Sequence, residues 1–345
     1  MSAGQMKAAR LHAMGDLRLA DEPVPEPGPG MSLVRVTAVG ICGSDLHWWG
    51  EAGIGDDTLT RPLVLGHEAA GVIEDGPRRG ERVAIDPAIW CGTCRPCRDG
   101  YRNLCTRVQF AGHGGQDGAM REFMTWPAHL LHPLPDGITD AGGAILEPLG
   151  VAIHSLDLGH VRLGATAAVV GCGPIGLLLI QVLRAAGAHP VAAFDPLPHR
   201  RAAAARLGVA AVVDPAGMST PADVRQVTGE GVDVAFEIAG TGDAVRLALL
   251  AARPGGRVVL GGIPASDQIA FRASDARRKG LTIAMVRRMN EVYPRAIGLA
   301  AGGHVELDSL ATGRFGLAEA PDAMAAAAAR TGLKVIIEPA AVHPR

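Results

Sequence analysis

Aromatic residues make up only 3% of this 345-residue chain, and lysine occurs three times, at Lys7, Lys279 and Lys334. With so few aromatics there is little to stack on bases. The charge balance, 33 Lys+Arg against 35 Asp+Glu, provides no field to draw in nucleic acid or an anionic membrane. The lysine shortage carries no functional reading of its own. Nothing resembles a disulfide framework, and a chain of this length can bury a large core without one. The opening stretch MSAGQMKAARLHAMGDLRL has no apolar signal core, so a reducing, cytoplasmic setting is expected. Ala165 to Leu183 is the one run long enough to suggest a membrane span. Gly171-Cys172-Gly173-Pro174 interrupts it, and a span is rejected.

Against these absences, four cysteines stand out. Cys91, Cys94, Cys97 and Cys105 fall in CGTCRPCRDGYRNLC with the spacing C-x2-C-x2-C-x7-C. Four thiolates this close can surround one zinc ion tetrahedrally and leave no position open, which describes a structural site. A disulfide cluster or unrelated buried thiols would rarely keep so regular a spacing.

The texture changes along the chain. The first third reads as β-rich, with short apolar runs at Leu33–Val39, Leu63–Leu65 and Arg82–Ile85 between Gly, Pro and Asp clusters. From about Ala165, short β-prone runs (Ala167–Val170, Val191–Phe194, Ala211–Val213, Val232–Phe236, Arg257–Leu260) alternate with helical stretches. That alternation indicates an α/β architecture, a parallel sheet covered on both faces. Gly171, Gly173 and Gly176, with Pro174 and Ile175 between them, form G-x-G-x-x-G after a strand and at the start of a helix. Such a loop lets the backbone approach a pyrophosphate at a helix N-terminus. Asp195 ends the next strand at the distance where an acidic side chain takes ribose hydroxyls and repels a 2′-phosphate. NAD is therefore expected over NADP. Arg200 can soften that preference by reaching a 2′-phosphate, or can lie along the adenine.

A second metal set is visible before the cysteine lobe. Cys42 stands in CGSDLH, and His67 and Glu68 follow. A catalytic zinc takes three protein ligands and keeps one position open. With four thiols in the lobe and Cys172 inside the glycine loop, no second cysteine is left. The third ligand should be a carboxylate, Glu68 or Glu147.

Taken together and in order, these motifs resemble the zinc-dependent medium-chain alcohol dehydrogenases. The resemblance is strongest to the polyol (sorbitol, xylitol, idonate) and threonine dehydrogenase branch, and it runs through essentially the whole chain. It implies a GroES-like β-barrel catalytic domain, residues 1–150 and 287–345, that carries the zinc lobe at about 90–106. A Rossmann doubly wound NAD-binding domain would occupy 151–286. The ending Thr331-GLKVIIEP would be the closing strand. Cys42 and His67 match zinc ligands, and Glu147 falls at the position of the alcohol dehydrogenases' second cysteine. Glu68 matches a residue that ligates zinc, exchanges with water or orients the site.

Two zinc ions per subunit are implied, one catalytic and one structural. Zinc acting as a Lewis acid on a secondary alcohol would let hydride pass to nicotinamide and leave a ketone. Ser44 and His47 match a proton relay, although both can instead cap a turn or helix. Asp45 matches a residue that orients His67. For substrate, Trp48 and Trp49, placed in a loop beside Cys42, suit a sugar ring or cyclic alcohol but serve equally as core. Arg287 resembles an arginine near substrate hydroxyls, with Arg288 the alternative. A homotetramer, or a dimer, is the implied assembly. The expected substrate is a polyol, sugar acid or cyclitol. A threonine- or butanediol-type activity is the runner-up, and a non-enzymatic NAD(H)-binding redox sensor the reading from a different class.

Overall fold

The computed structural model describes residues 4–218, 220–265 and 268–339, and the chain divides into two compact units. The first takes in the residues up to Glu147, then Tyr293–Ala301 and those from Leu307 onward. The second comprises Pro148–Val292 and Gly302–Glu306.

In chain order, the first unit begins with β1 (Gln5–Ala13), β2 (Asp16–Pro23), β3 (Met31–Gly40), helix α1 (Gly43–Glu51) and β4 (Leu63–Val64). It continues with β5 (Glu68–Ile73), β6 (Arg82–Ile85), β7 (Phe123–Pro127), β8 (Leu131–Pro133) and the start of the 20-residue helix α2 (Asp140–Gly159), whose residues from Pro148 on belong to the second unit. The strand β3 organises the larger sheet. Alternate side chains Val34, Val36 and Ala38 are buried, as a strand with one covered face requires. One edge of β3 pairs antiparallel with β5, from Val34↔Ile73 to Gly40↔Glu68. The start of its other edge pairs with β7, Phe123 opposite Arg35. The strands β6 and β8 extend the sheet beyond β5.

The sequence suggests a loop after Cys42, whereas the structure has a helix there. Cys42 is the extended N-cap residue, and the Asp45 carboxylate in the first turn accepts the Cys42 backbone N–H at 2.9 Å. That carboxylate also complements the helix dipole.

The second unit holds β9 (Thr166–Val170), α3 (Pro174–Ala185), β10 (His189–Phe194), β11 (Ala211–Val213), β12 (Val232–Glu237), β13 (Ala252–Leu260) and β14 (Thr282–Met285). All six strands are parallel, in the order β11-β10-β9-β12-β13-β14. Ala167 to Val170 and Ala192 to Phe194 are buried throughout. Strands with helices on both faces bury both sets of side chains and so read as continuous apolar runs.

On its return to the first unit the chain adds the helix Tyr293–Ala301, β15 (Ala311–Gly316), the helix Ala320–Ala329 and β16 (Lys334–Glu338). Buried Tyr293 donates its hydroxyl to the Ile85 carbonyl at 2.8 Å and stacks flat on His132, with ring centroids 4.5 Å apart. The strand β16 pairs with the end of β3, Ile336 opposite Gly40, and runs parallel to β15. This brings Lys334 beside the segments that hold Cys42 and Glu68.

Candidate active site

The carboxylate of Asp45 joins two separate pieces of chain. One oxygen accepts the Cys42 N–H, and the other accepts the Gly66 N–H at 3.1 Å. Residues 42 and 66–68 are thereby held side by side. The ligand atoms of Cys42, His67 and Glu68 all lie within 4.8 Å of one another. His67 turns Nδ1 toward Asp45 Oδ1 at 3.5 Å, an ion-pair separation longer than a normal hydrogen bond. That orientation leaves Nε2 for a metal, the usual arrangement of a carboxylate-backed imidazole ligand. Burial pushes the His67 pKa down, but the Asp45 carboxylate and Cys42 sulfur outweigh burial and hold it well above the ordinary histidine value. A thiolate, an imidazole and a carboxylate in one cluster fit the three-ligand zinc site that leaves a position open.

Glu68 is fully buried and shares its carboxylate with an unexpected partner. Lys334 Nζ donates to both oxygens, at 2.8 and 2.7 Å, and to the Ile41 carbonyl at 2.9 Å. Burial lowers the Lys334 pKa, and the Glu68 charge outweighs it, so the ammonium is retained. Room for this carboxylate depends on Gly40, because a Cβ there would collide with Glu68 Oε2. Glu147, on α2, is also buried but is not among the three clustered donors. Burial raises its pKa to about 7.

Around His67 lies an aromatic enclosure that sequence reasoning missed. Phe110 and His113 each stand 5.2 Å from the His67 ring, centroid to centroid, and Trp48 packs edge-on to His113 at 5.8 Å. Trp48 is 1% exposed and belongs to the core, with Trp49 packed against the same cluster. Ser44 is buried in the first turn of α1, and His47 follows one turn later with Nδ1 3.1 Å from Glu51 Oε1. No pattern in the sequence singles out His113, since it stands alone among glycines and makes its contacts only through the fold. Arg287, just past β14 in the second unit, is exposed, and Arg288 beside it adopts the left-handed region at φ 56°.

The four-cysteine lobe gathers its sulfurs within 4.8 Å of one another, with Cys94 and Cys105 Sγ 3.8 Å apart. A tetrahedron with Zn–S bonds of about 2.3 Å has edges of about 3.8 Å. Donors already point at the sulfurs: the Cys91 N–H toward Cys105, the Cys94 N–H toward Cys91, and the Arg107 guanidinium toward Cys91. Backbone N–H groups of Thr93 and Cys94 hold the Cys91 thiol down at about 5, so it is ionised at neutral pH. All six cysteines are free thiols.

In the second unit the glycine loop passes from β9 into α3. Gly171 has φ 100°, and a Cβ on Gly176 would strike the Gly171 carbonyl, so the turn closes only with glycine at both places. Gly173 is the N-cap and Pro174 opens the helix. Together with Ile175 they form a half-exposed lip of the kind that accepts a pyrophosphate. Asp195 is almost fully buried at the end of β10. Its oxygens accept the Cys172 and Leu197 N–H groups at 2.8 Å each, and Arg200 Nη1 lies 3.9 Å away.

Two family models account for much of the chain: the alcohol dehydrogenase GroES-like domain over residues 28–136 and zinc-binding dehydrogenase over residues 174–302. Sorbitol dehydrogenase of Bacillus subtilis is 33% identical over 326 residues, 92% of each chain. Sorbitol dehydrogenase of Rattus norvegicus is 34% identical, covering 97% of this chain and 96% of the rat protein. The chain belongs to the zinc-binding dehydrogenase family. Among solved structures, a protein of Sinorhizobium meliloti bound to NADP matches with a TM-score of 0.88 and 33% identity. That match covers 97% of this chain and all of the other. This dehydrogenase therefore combines a GroES-like domain with a Rossmann-type nucleotide domain. No helix among its described residues is long and apolar enough to cross a membrane.

Proposed function

We propose that this dehydrogenase interconverts a secondary alcohol and its ketone, with NAD preferred over NADP and a polyol, sugar acid or cyclitol as substrate. The clustering of Cys42, His67 and Glu68 donors within 4.8 Å carries the reading. A broken centre would have pointed to a sensor instead. The sorbitol dehydrogenase relatives support the substrate class. Bound at these donors, zinc would supply Lewis acidity to the substrate oxygen, and nicotinamide would accept the hydride.

The chain's own groups do the rest. Asp45 keeps His67 turned so that Nε2 faces the cluster. Lys334 holds the Glu68 carboxylate in place through hydrogen bonds to both of its oxygens. Glu147, with its pKa raised to about 7 by burial, can hold or release a proton near neutrality, and it is the alternative third ligand. Ser44 and His47 form the proton relay in this reading. The Glu51 contact at Nδ1 leaves His47 Nε2 as the atom that accepts the proton. Asp195 discriminates against a 2′-phosphate, Arg200 borders the adenosine, and Arg287 contributes to substrate recognition, whereas Trp48 and Trp49 serve the core. The protein works in the cytoplasm as a homotetramer or dimer. Initial rates with NAD and with NADP across a panel of polyols, sugar acids, threonine and butanediol test the reading. It expects turnover on a polyol-class substrate with NAD, and it fails if no secondary alcohol is oxidised by zinc-replete protein.

A further inference from the structure

The strand order fixes which way a dinucleotide must lie. With the pyrophosphate on the loop after β9 and the adenosine ribose toward Asp195 at the end of β10, the adenine half lies on the β10–β11 side. The nicotinamide half would then fall toward the ends of β12 and β13. We propose that Glu237, the last residue of β12, is the positioning residue for that nicotinamide half.

Several contacts converge on it. Glu237 is fully buried and lies in register with Val170, the residue before Gly171, and with Leu260 at the end of β13. Oε1 accepts the Ala239 and Gly240 N–H groups at 2.7 and 2.6 Å. The Glu237 main-chain carbonyl accepts Gly261 N–H at 2.7 Å and Gly262 N–H at 3.2 Å. One residue thus fastens the two loops that flank the nicotinamide position. The same loop abuts the glycine turn: Ile238 N–H donates to the Val170 carbonyl at 2.8 Å, and the Cβ position of Gly171 meets Ala239 N at 2.9 Å.

Oε2 of Glu237 has no hydrogen-bond partner among the described residues. A buried carboxyl is costly where an apolar side chain would pack, and here the cost is offset by the backbone N–H groups of the loops it orders, Ala239, Gly240, Thr241 and Gly262. Burial raises its pKa, which makes glutamine a close stand-in.

The inference rests on the NAD reading above, and the test separates the two. Binding of NADH and of ADP-ribose, which lacks the nicotinamide, is measured by calorimetry on the full chain, with NADH fluorescence as a second readout. Glu237→Ala and Glu237→Asp are expected to weaken NADH by about tenfold or more. ADP-ribose should stay within about twofold, and Glu237→Gln, which keeps an acceptor of the same reach, should restore NADH binding. Equal weakening of both ligands would reduce Glu237 to general support of the fold, and unchanged NADH binding would remove it from the site. Either overturns the proposal while leaving the NAD reading intact. Failure of the unaltered protein to bind either ligand overturns both.

Discussion

Replacing Lys334 by methionine isolates a charge that the fold has buried on purpose. The Lys334 side chain is 4% exposed and the Glu68 side chain 1%, and Nζ donates three hydrogen bonds of 2.7 to 2.9 Å. Methionine fills much the same volume and carries no charge, so Glu68 is left ionised in an apolar setting, or must take up a proton. Breaking one partner out of a buried pair costs about 3–5 kcal/mol. Urea unfolding in the presence of a chelator should show a loss of that size for Lys334→Met. Glu68→Gln added to it should recover most of the loss, because the stranded charge is then gone. With zinc present the cost of Lys334→Met should shrink, since a metal on Glu68 offsets the missing ammonium. A loss under about 1 kcal/mol with chelator present, or strictly additive effects in the double variant, would refute the argument.

Other consequences can be checked separately. Cys97→Ser removes one of four lobe sulfurs and should lower the unfolding midpoint and the zinc content by one ion before it touches turnover. A change confined to turnover in a fully stable protein would count against a structural lobe. Asp195→Ala should weaken NADH by about tenfold or more, since charge-assisted hydrogen bonds of about 1.5–3 kcal/mol are lost, and should lower the NADH/NADPH affinity ratio. An unchanged ratio would show that the carboxylate serves only Cys172 and Leu197. His132 is held at a pKa of about 4, first by burial and then by Arg78. A depressed folded pKa means that its contribution is complete above pH 6.5 and is lost as pH falls toward 4. Because the ring is partly exposed, the full shift is discounted to about 1–2 kcal/mol. Between pH 7 and pH 4.5 the parent protein should lose more stability than His132→Phe, which keeps the stack on Tyr293. Equal losses would contradict this.

How much could be read beforehand depended on whether the signal was local. The cysteine spacing, the glycine loop and the strands near Ala167–Val170, Val191–Phe194 and Val232–Phe236 are written in consecutive residues, and each appears in the structure. The helix after Cys42 was less visible, because Trp48-Trp49 and the glycine at either side suggest an irregular segment. Its N-terminus is capped by one side-chain bond, donated by the Cys42 N–H to the Asp45 carboxylate. The edge strand Thr282–Met285 went unmarked for the opposite reason, being half exposed and without a buried run. The support around the site was illegible in principle. Lys334 meets Glu68 across 266 residues, and the meeting needs the vacancy at Gly40 as well as the pairing of β16 with β3. His113, Phe110 and Glu237 acquire meaning only through neighbours distant in sequence. Lysine scarcity likewise looked empty, yet Lys279 turns inward to three carbonyls, of Leu249, Leu250 and Ala252, and Lys334 turns inward to Glu68.

The central claim is that Cys42, His67 and Glu68 form a catalytic metal centre distinct from the lobe. Zinc content per subunit of the parent protein and of Cys42→Ser, determined by mass spectrometry on the samples used for NADH formation, tests it most directly. Two zinc ions in the parent, with one ion and no turnover in a folded Cys42→Ser, is the predicted result. Two ions and near-normal turnover in Cys42→Ser would contradict it.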